Sequence, residues 1–316
     1  MAEAAAAGAS AGTMAGRRDW RERFPWGWLF LVPTFVFFVG WQLYPIIRVA
    51  WISFTDYEFL SPNKPVSFVG LRNFQEVLVD PLMRVGLLRA AGFTALFLPG
   101  MIFIPMFLAV MIDKIQNQKV ATFYRLLLLI PSMIPGPLIF VLWKWMYDLY
   151  IGPINFFLVN QFHLFDLRSQ PQWLGDPKLV FFALAIMEWW WGLGYHTMFY
   201  LAGLATIPKD LPDAARVDGA NEWRLFWDVT FKRLLPIILV LVVLRFGTAM
   251  AVIDEYLIMG GFNRTRPTYT WTVYMWETAF VTPPRFQGYA AAIGWVGAIA
   301  MLIVVAILFR VFRSRD

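Results

Sequence analysis

The sequence predicts an all-α, polytopic membrane protein with six transmembrane helices. Three observations lead there. Composition comes first: 59% of the 316 residues are hydrophobic and 18% aromatic, only 15% are charged, and mean hydropathy is +0.58. A soluble domain carries about 45–50% apolar and about 25% charged residues. The second is that apolar runs near the roughly 20 residues needed to span a bilayer recur along the whole chain. The third is that the polar segments between them differ in basic charge in an alternating sense. With no cysteine, disulfides, thiolate chemistry and cysteine metal sites are excluded.

The elements follow in order. Residues 1–23, opening "MAEAAAAGASAGTMAG", read as a small-residue cytoplasmic tail with nothing to build a core from. "RRDWRER" before an apolar run mimics an export signal, but the run is too long and no small-residue cleavage site follows, so an uncleaved first span is expected at about 24–47. Outside it, "SPNKPVSFVGLRNFQEVLVDP" contains an amphipathic stretch that sets Phe74, Val77 and Leu78 against Arg72, Gln75 and Glu76. The second and third spans, about 90–112 and 126–143, are free of charge. "DLYIGPINFFLVNQFHLFDLRSQPQWLGDP" then lies outside, its Trp and Tyr fitting an interfacial belt. The fourth span, about 179–207, holds Glu188 and His196; the fifth, about 234–259, holds Arg245 and, near its end, Asp254 and Glu255. The sixth covers about 286–309, within a permeation domain of 24–312. Most of the 27 basic residues fall where an inside N-terminus puts the cytoplasmic segments, at roughly twofold higher density than outside. Both termini and the segment 208–236 are then cytoplasmic.

That segment is the most structured of the polar stretches: "IPKDLPDAARVDGANEWRLFWDVTFKRLLP". Asp210 is a good N-cap, Asp213 makes a capping-box-like start, and Pro212 in the first turn loses no intrahelical bond. Gly219 supplies a left-handed stop, and Asn221 caps a second helix that Pro236 ends or bends. Trp223, Phe226, Trp227, Phe231 and Leu234 recur along one face of that helix, with Arg224, Asp228 and Lys232 four apart on another. Acids and bases balance across the loop, which argues against a nucleic-acid or anionic-lipid patch. The first helix offers too little apolar surface to float on lipid, and its small face of Ala214 and Ala215 suits close packing against another protein.

At these residues "DAARVDGANEWRLFWDV" resembles the EAA loop of inner-membrane permease subunits of ATP-binding-cassette importers, its core being Asp213, Ala214, Ala215, Asp218, Gly219 and Ala220. "YPIIRVAWISFTDY", "FVGLRNF", "YRLLLLIPSMIPGPLIFVLWKWMY", "GPIN", "WLGDP" and "YLAGLATIPKDLPDAARVDGA" resemble the carbohydrate branch, of the maltose-porter first-subunit or glycerol-phosphate-porter type. The resemblance implies a type I importer permease fold in a bacterial or archaeal cytoplasmic membrane. It also implies a second homologous permease, two ATP-binding subunits that hold ATP and magnesium, and an extracytoplasmic solute-binding protein. The loop helix is expected to dock in a groove on an ATP-binding subunit. Three positions depart from the family pattern: Asp213 replaces the usual Glu, Lys232 stands where a proline is usual, and "MGGFNRTRP" replaces a glycine-rich segment.

No G-x-x-x-x-G-K-[ST] phosphate cradle occurs, so energy is expected from a partner, and no catalytic residue, metal site or cofactor is expected in this chain. The candidate solute pathway lies where ionisable groups enter the spans: Glu188, His196, Arg245 and Asp254, with Trp190 and Trp191 as stacking platforms for a sugar. For Glu188 two readings stand side by side, contact with solute or an ion pair with Arg245 that holds the bundle together. A membrane-embedded enzyme is disfavoured because the two histidines, His163 and His196, show no metal or nucleophile spacing. An ion-coupled secondary carrier using Glu188 would need internal repeats and leaves the capped loop unexplained. A neutral sugar is the expected cargo, with glycerol phosphate or another polyol as the alternative.

Overall fold

A computed structural model describes residues 26–61, 63–208, 210–282 and 286–313. The tail at 1–23, the start of the first span at Phe24, Lys209 and Arg315 lie outside these. The chain divides into two units, Met1–Trp51 and Ile52–Asp316. In the first, α1 (Trp26–Phe37) passes through a π-helical stretch at Phe38–Leu43 into α2 (Tyr44–Ser53), an uncharged run up to Arg48.

The second unit begins with an isolated antiparallel bridge between Thr55 and Phe68, the sole β pairing among the described residues. Next comes α3 (Arg72–Val79). It is amphipathic as expected, but the buried pair is Asn73 and Val77, while Leu78 is exposed. Asn73 donates both amide hydrogens to the Ser53 and Thr55 carbonyls at 2.9 Å, so a polar residue replaces the expected leucine on the inner face. Helix α4 (Pro81–Asp113) is capped by the Asp80 carboxylate, which accepts from Leu82 N at 2.8 Å. It starts nine residues before the predicted span and, at 33 residues, is about 50 Å long.

The predicted span at 126–143 is not one helix. Pro131 and Pro135 break it into α5 (Gln118–Leu129), a 3₁₀ turn at Pro131–Met133 and α6 (Gly136–Met146). After the short α7 (Pro153–Phe156), α8 (Val180–Leu204) runs unbroken for 25 residues. The charged segment that follows supplies α9 (Asp210–Val217) and α10 (Glu222–Leu225). A π-helical stretch, Phe226–Phe231, joins α10 to α11 (Lys232–Met250). Pro236 therefore does not end the helix: helical backbone continues from Glu222 to Met250, with the wide turn lying just before the proline. The fifth span in turn stops at Met250 rather than near 259. Two helices close the chain, α12 (Trp271–Phe280), which the sequence reading missed, and α13 (Gln287–Arg313).

Among the described residues, four helices are long and apolar enough to cross a membrane: Leu29–Ser53, Pro81–Asp113, Glu222–Met250 and Gln287–Arg310. Packing in the second unit centres on α4, which lies against α8, α11 and α12, while α13 covers α12 and α3. One core joins Phe93, Phe97 and Met101 of α4 to Leu184 and Met187 of α8. Another joins Met106 and Ala109 of α4 to Tyr200, Leu234 and Ile238. Gly86 allows α4 to meet the start of α12, since a Cβ there would lie 2.5 Å from the Trp271 backbone nitrogen.

Candidate functional site

Two places combine local irregularity with charge. The first is the loop between α8 and α11. At the end of α9, Gly219 N–H donates to the Arg216 carbonyl (3.1 Å) and Ala220 N–H to the Ala215 carbonyl (2.9 Å), the paired bonds of a Schellman cap. Gly219 sits at φ +80°, a conformation that L side chains resist, with open space around it, so the backbone and not crowding calls for glycine. Asn221 then accepts from Arg224 N at 2.9 Å and starts α10, as expected. The start of α9 differs from expectation: the helix already includes Asp210, and Asp213 pairs with Arg216 at 3.0 Å. Asp213, Ala214, Ala215, Asp218, Gly219 and Ala220 thus form one capped helix and its exit, with Ala214 exposed and Ala215 half-buried.

A contact the sequence did not disclose ties this loop to α4. Glu222 accepts from Lys114, the C-cap of α4, at 2.5 Å and lies 3.5 Å from Arg216. The Lys114 hydrogen bond, helped by the charges of Lys114 and Arg216, holds the Glu222 carboxyl below its ordinary range. On the second helix Lys232 pairs with Asp228 (3.2 Å), and the rings of Trp223, Trp227 and Phe231 form an edge-on ladder.

The second place is the end of α11. Helical backbone stops at Met250, leaves Ala251–Ile253 irregular, and resumes at Asp254 before a π-helical turn at Tyr256–Gly260. Carbonyls freed by such a break must find partners. The indole of Trp271 donates to Met250 O at 2.8 Å and the Thr272 hydroxyl to Val252 O at 2.5 Å, both from the first turn of α12. Beside the break lies a cavity of about 390 Å³, within the range of about 300–1,000 Å³ common for small-molecule sites. Its walls include Phe93, Phe97, Glu188, Val252, Asp254 and Glu255. Glu188 is only 8% exposed, and its Oε1 has no hydrogen-bond partner in the chain. Its side chain interacts with that of Glu255.

The remaining predicted pathway residues are elsewhere. Arg245 does not hydrogen-bond to Glu188; its Nε donates to His196 Nε2 at 2.6 Å, while His196 Nδ1–H donates to the Gly192 carbonyl at 2.7 Å. The charge of Arg245 still acts on Glu188, but its hydrogen bond makes an arginine–histidine link between α11 and α8. Trp190 packs on Trp143 (5.6 Å between centroids), and Trp191 packs edge-on against Phe140 and donates to Ile134 O. Trp189 donates to Phe97 O. These indoles fasten α8 to α4 and to the broken α5–α6 pass, and none of them lines the cavity. Of the predicted set, Glu188 and Asp254 alone are brought together there.

Residues 101–315 match the family described as "binding-protein-dependent transport system inner membrane component". The chain is 30% identical over 238 residues to the trehalose/maltose transport system permease protein of Thermococcus litoralis, covering 74% of this chain and 77% of that one. To the probable starch degradation products transport system permease protein of Thermoanaerobacterium thermosulfurigenes it is 27% identical, covering 90% and 91%. The fold is shared with a bacterial ABC transporter involved in the import of the acidic polysaccharide alginate: TM-score 0.78, 21% identity, 93% of this chain and 98% of that one.

Proposed function

The chain belongs to the family of inner-membrane components of binding-protein-dependent transport systems, and on that premise we propose that it is a membrane-spanning permease subunit of an ATP-driven carbohydrate importer. The observation that carries the reading is the family match itself, because residues 101–315 contain the capped loop and all of the cavity wall except Phe93 and Phe97. Relatives named for maltose, trehalose and starch products support a carbohydrate cargo.

Six passes account for the topology, the third being the proline-broken α5–α6 and the fourth α8, whose Glu188, His196 and tryptophans lower its apolarity. Both termini and 208–236 then face the cytoplasm of a bacterial or archaeal cell, in keeping with the basic-residue distribution. The assembly would include a second homologous permease, two subunits that bind ATP and magnesium, and an external solute-binding protein. Helix α9, with Asp213, Ala214, Ala215, Asp218, Gly219 and Ala220, is the element that docks on an ATP-hydrolysing subunit. Displacement of α9 reaches the bilayer by two routes, through Glu222 to Lys114 at the end of α4 and along the continuous helix into α11. Solute passes the cavity beside Glu188 and Asp254, while His196, Arg245, Trp190 and Trp191 hold α8 in place beside it.

The chain has no native cysteine, so Ala214→Cys is a unique reporter. Cross-linking from it in native membranes should capture a nucleotide-hydrolysing chain, and affinity purification through this subunit should yield ATPase activity. Cross-links to lipid alone, with no ATPase in the purified assembly, would sink the proposal.

A further inference from the structure

Resting on the importer reading, we infer that the cavity beside Glu188 sorts cargo by charge: it takes a neutral or amine-bearing polyhydroxylated solute and refuses one that carries a carboxylate, sulfonate or phosphate. The walls hold three carboxyls, Glu188, Asp254 and Glu255, and no Lys, Arg or His. Arg245, on the neighbouring helix, is directed to His196 and is not part of the lining. Glu188 and Glu255 interact with one another, and Asp254 borders the same space. An anionic solute would be brought against carboxyls with no Lys, Arg or His on the wall to bind it, Arg245 acting only from behind Glu188.

The lining also specifies what it accepts. A carboxylate oxygen is an acceptor only, and Glu188 Oε1 is buried without a donor from the chain. A buried acceptor in that state is costly until a donor arrives. The helix break does not provide one, because Trp271 and Thr272 donate to the carbonyls of Met250 and Val252 instead. Hydroxyl or ammonium groups of a solute would. The wall is completed by the edges of two buried core rings, Phe93 and Phe97, which lie nearly parallel (12°, centroids 5.6 Å apart) and make that part of the lining apolar. The fold does not dictate this choice, since a protein of the same fold belongs to a transporter that imports an acidic polysaccharide. The side chains of the lining do.

The test uses the whole membrane assembly, purified through this subunit into nanodiscs without the external binding protein, whose own selectivity would mask the effect. Three probes of equal length are titrated calorimetrically: maltotriose, the trimer of glucosamine, and trigalacturonate. The neutral and aminated trimers should bind, and the uronate should bind at least tenfold more weakly than either. Glu188→Gln should weaken the aminated trimer at least tenfold and narrow its advantage over the uronate. Asp254→Asn should act in the same direction, and reads the charge of the lining independently should Glu188→Gln fail to assemble. Trigalacturonate binding as tightly as the aminated trimer to the native assembly would overturn the inference, and so would affinities for the aminated trimer left unchanged by both variants. Co-purification of an ATPase tests the importer reading separately, so the two failures cannot be confused.

Discussion

The exit from α9 and the exit from α11 are both places where a helix stops, turns within three or four residues and restarts, yet they are closed in opposite ways. At Gly219 the chain uses its own next residues: two backbone bonds seal α9, and Asn221 opens α10 directly after. At Ala251 the freed carbonyls are closed by Trp271 and Thr272, some twenty residues further along. The first interruption is exposed and self-contained, so it can move as a rigid piece. The second is half-buried, depends on α12 staying where it is, and borders Glu188, whose Oε1 is unpaired among the described residues. A stiff handle needs local closure; a binding cavity needs groups held open, and distant side chains can do that without filling it.

Breaking this contrast starts with the largest effect. Trp271→Ala removes a nearly buried indole and its bond to Met250, and should cost about 3 kcal/mol. Thermal unfolding of the purified protein should show a lower midpoint, and amide exchange should accelerate at 251–260 while 211–220 stays unchanged. Loosening of both regions together would mean that they are not independent. A smaller effect belongs to Gly219→Ala, which places a Cβ at φ +80° for about 1 kcal/mol. Here exchange should quicken roughly fivefold at 211–220 and leave 251–260 alone.

The smallest effect concerns the Glu222–Lys114 contact, which is exposed and therefore screened. Because the folded Glu222 carboxyl titrates below its ordinary 4.5, the contact is fully present above that value and is lost as the pH falls through the lower folded value. A spin-label distance between the end of α4 and α10 should lengthen in acid below 4.5, and about 1 M salt, with a screening length of about 3 Å, should do the same at neutral pH. The cavity at the other end of α11 should not respond to salt.

What could be read from the sequence follows the same division. Gly219 and Asn221 were legible because caps are written in adjacent residues. The apolar runs around α4 and α13 were legible because lipid demands them. The break at Ala251–Ile253 was not, since no glycine or proline marks it and the helix gives way to partners on α12. Helix α12 was itself missed: ten residues rich in Trp and Tyr, within a segment already set aside as outside the spans. Pro236 left two outcomes open, an end or a bend, and the helix continues through it, with the wide turn lying just before. At the candidate site, the acids of the cavity were visible as ionisable residues in apolar runs, but the partner of Arg245 was not. Nothing in spacing distinguishes a histidine 49 positions away from a glutamate slightly further off.

That wide turn at Phe226–Phe231 also sets the angular phase between loop and bilayer. Each extra residue accommodated in a π-helical stretch advances everything after it by about 100° relative to an ideal α-helix. Removing one residue there would leave both flanking helices intact but twist Arg245 away from His196 and swing Gly247 and Thr248 off the cavity wall. Six residues, of which Phe226 and Phe231 pack against the second core, would thus act as the setscrew that aligns the cavity-facing side of α11.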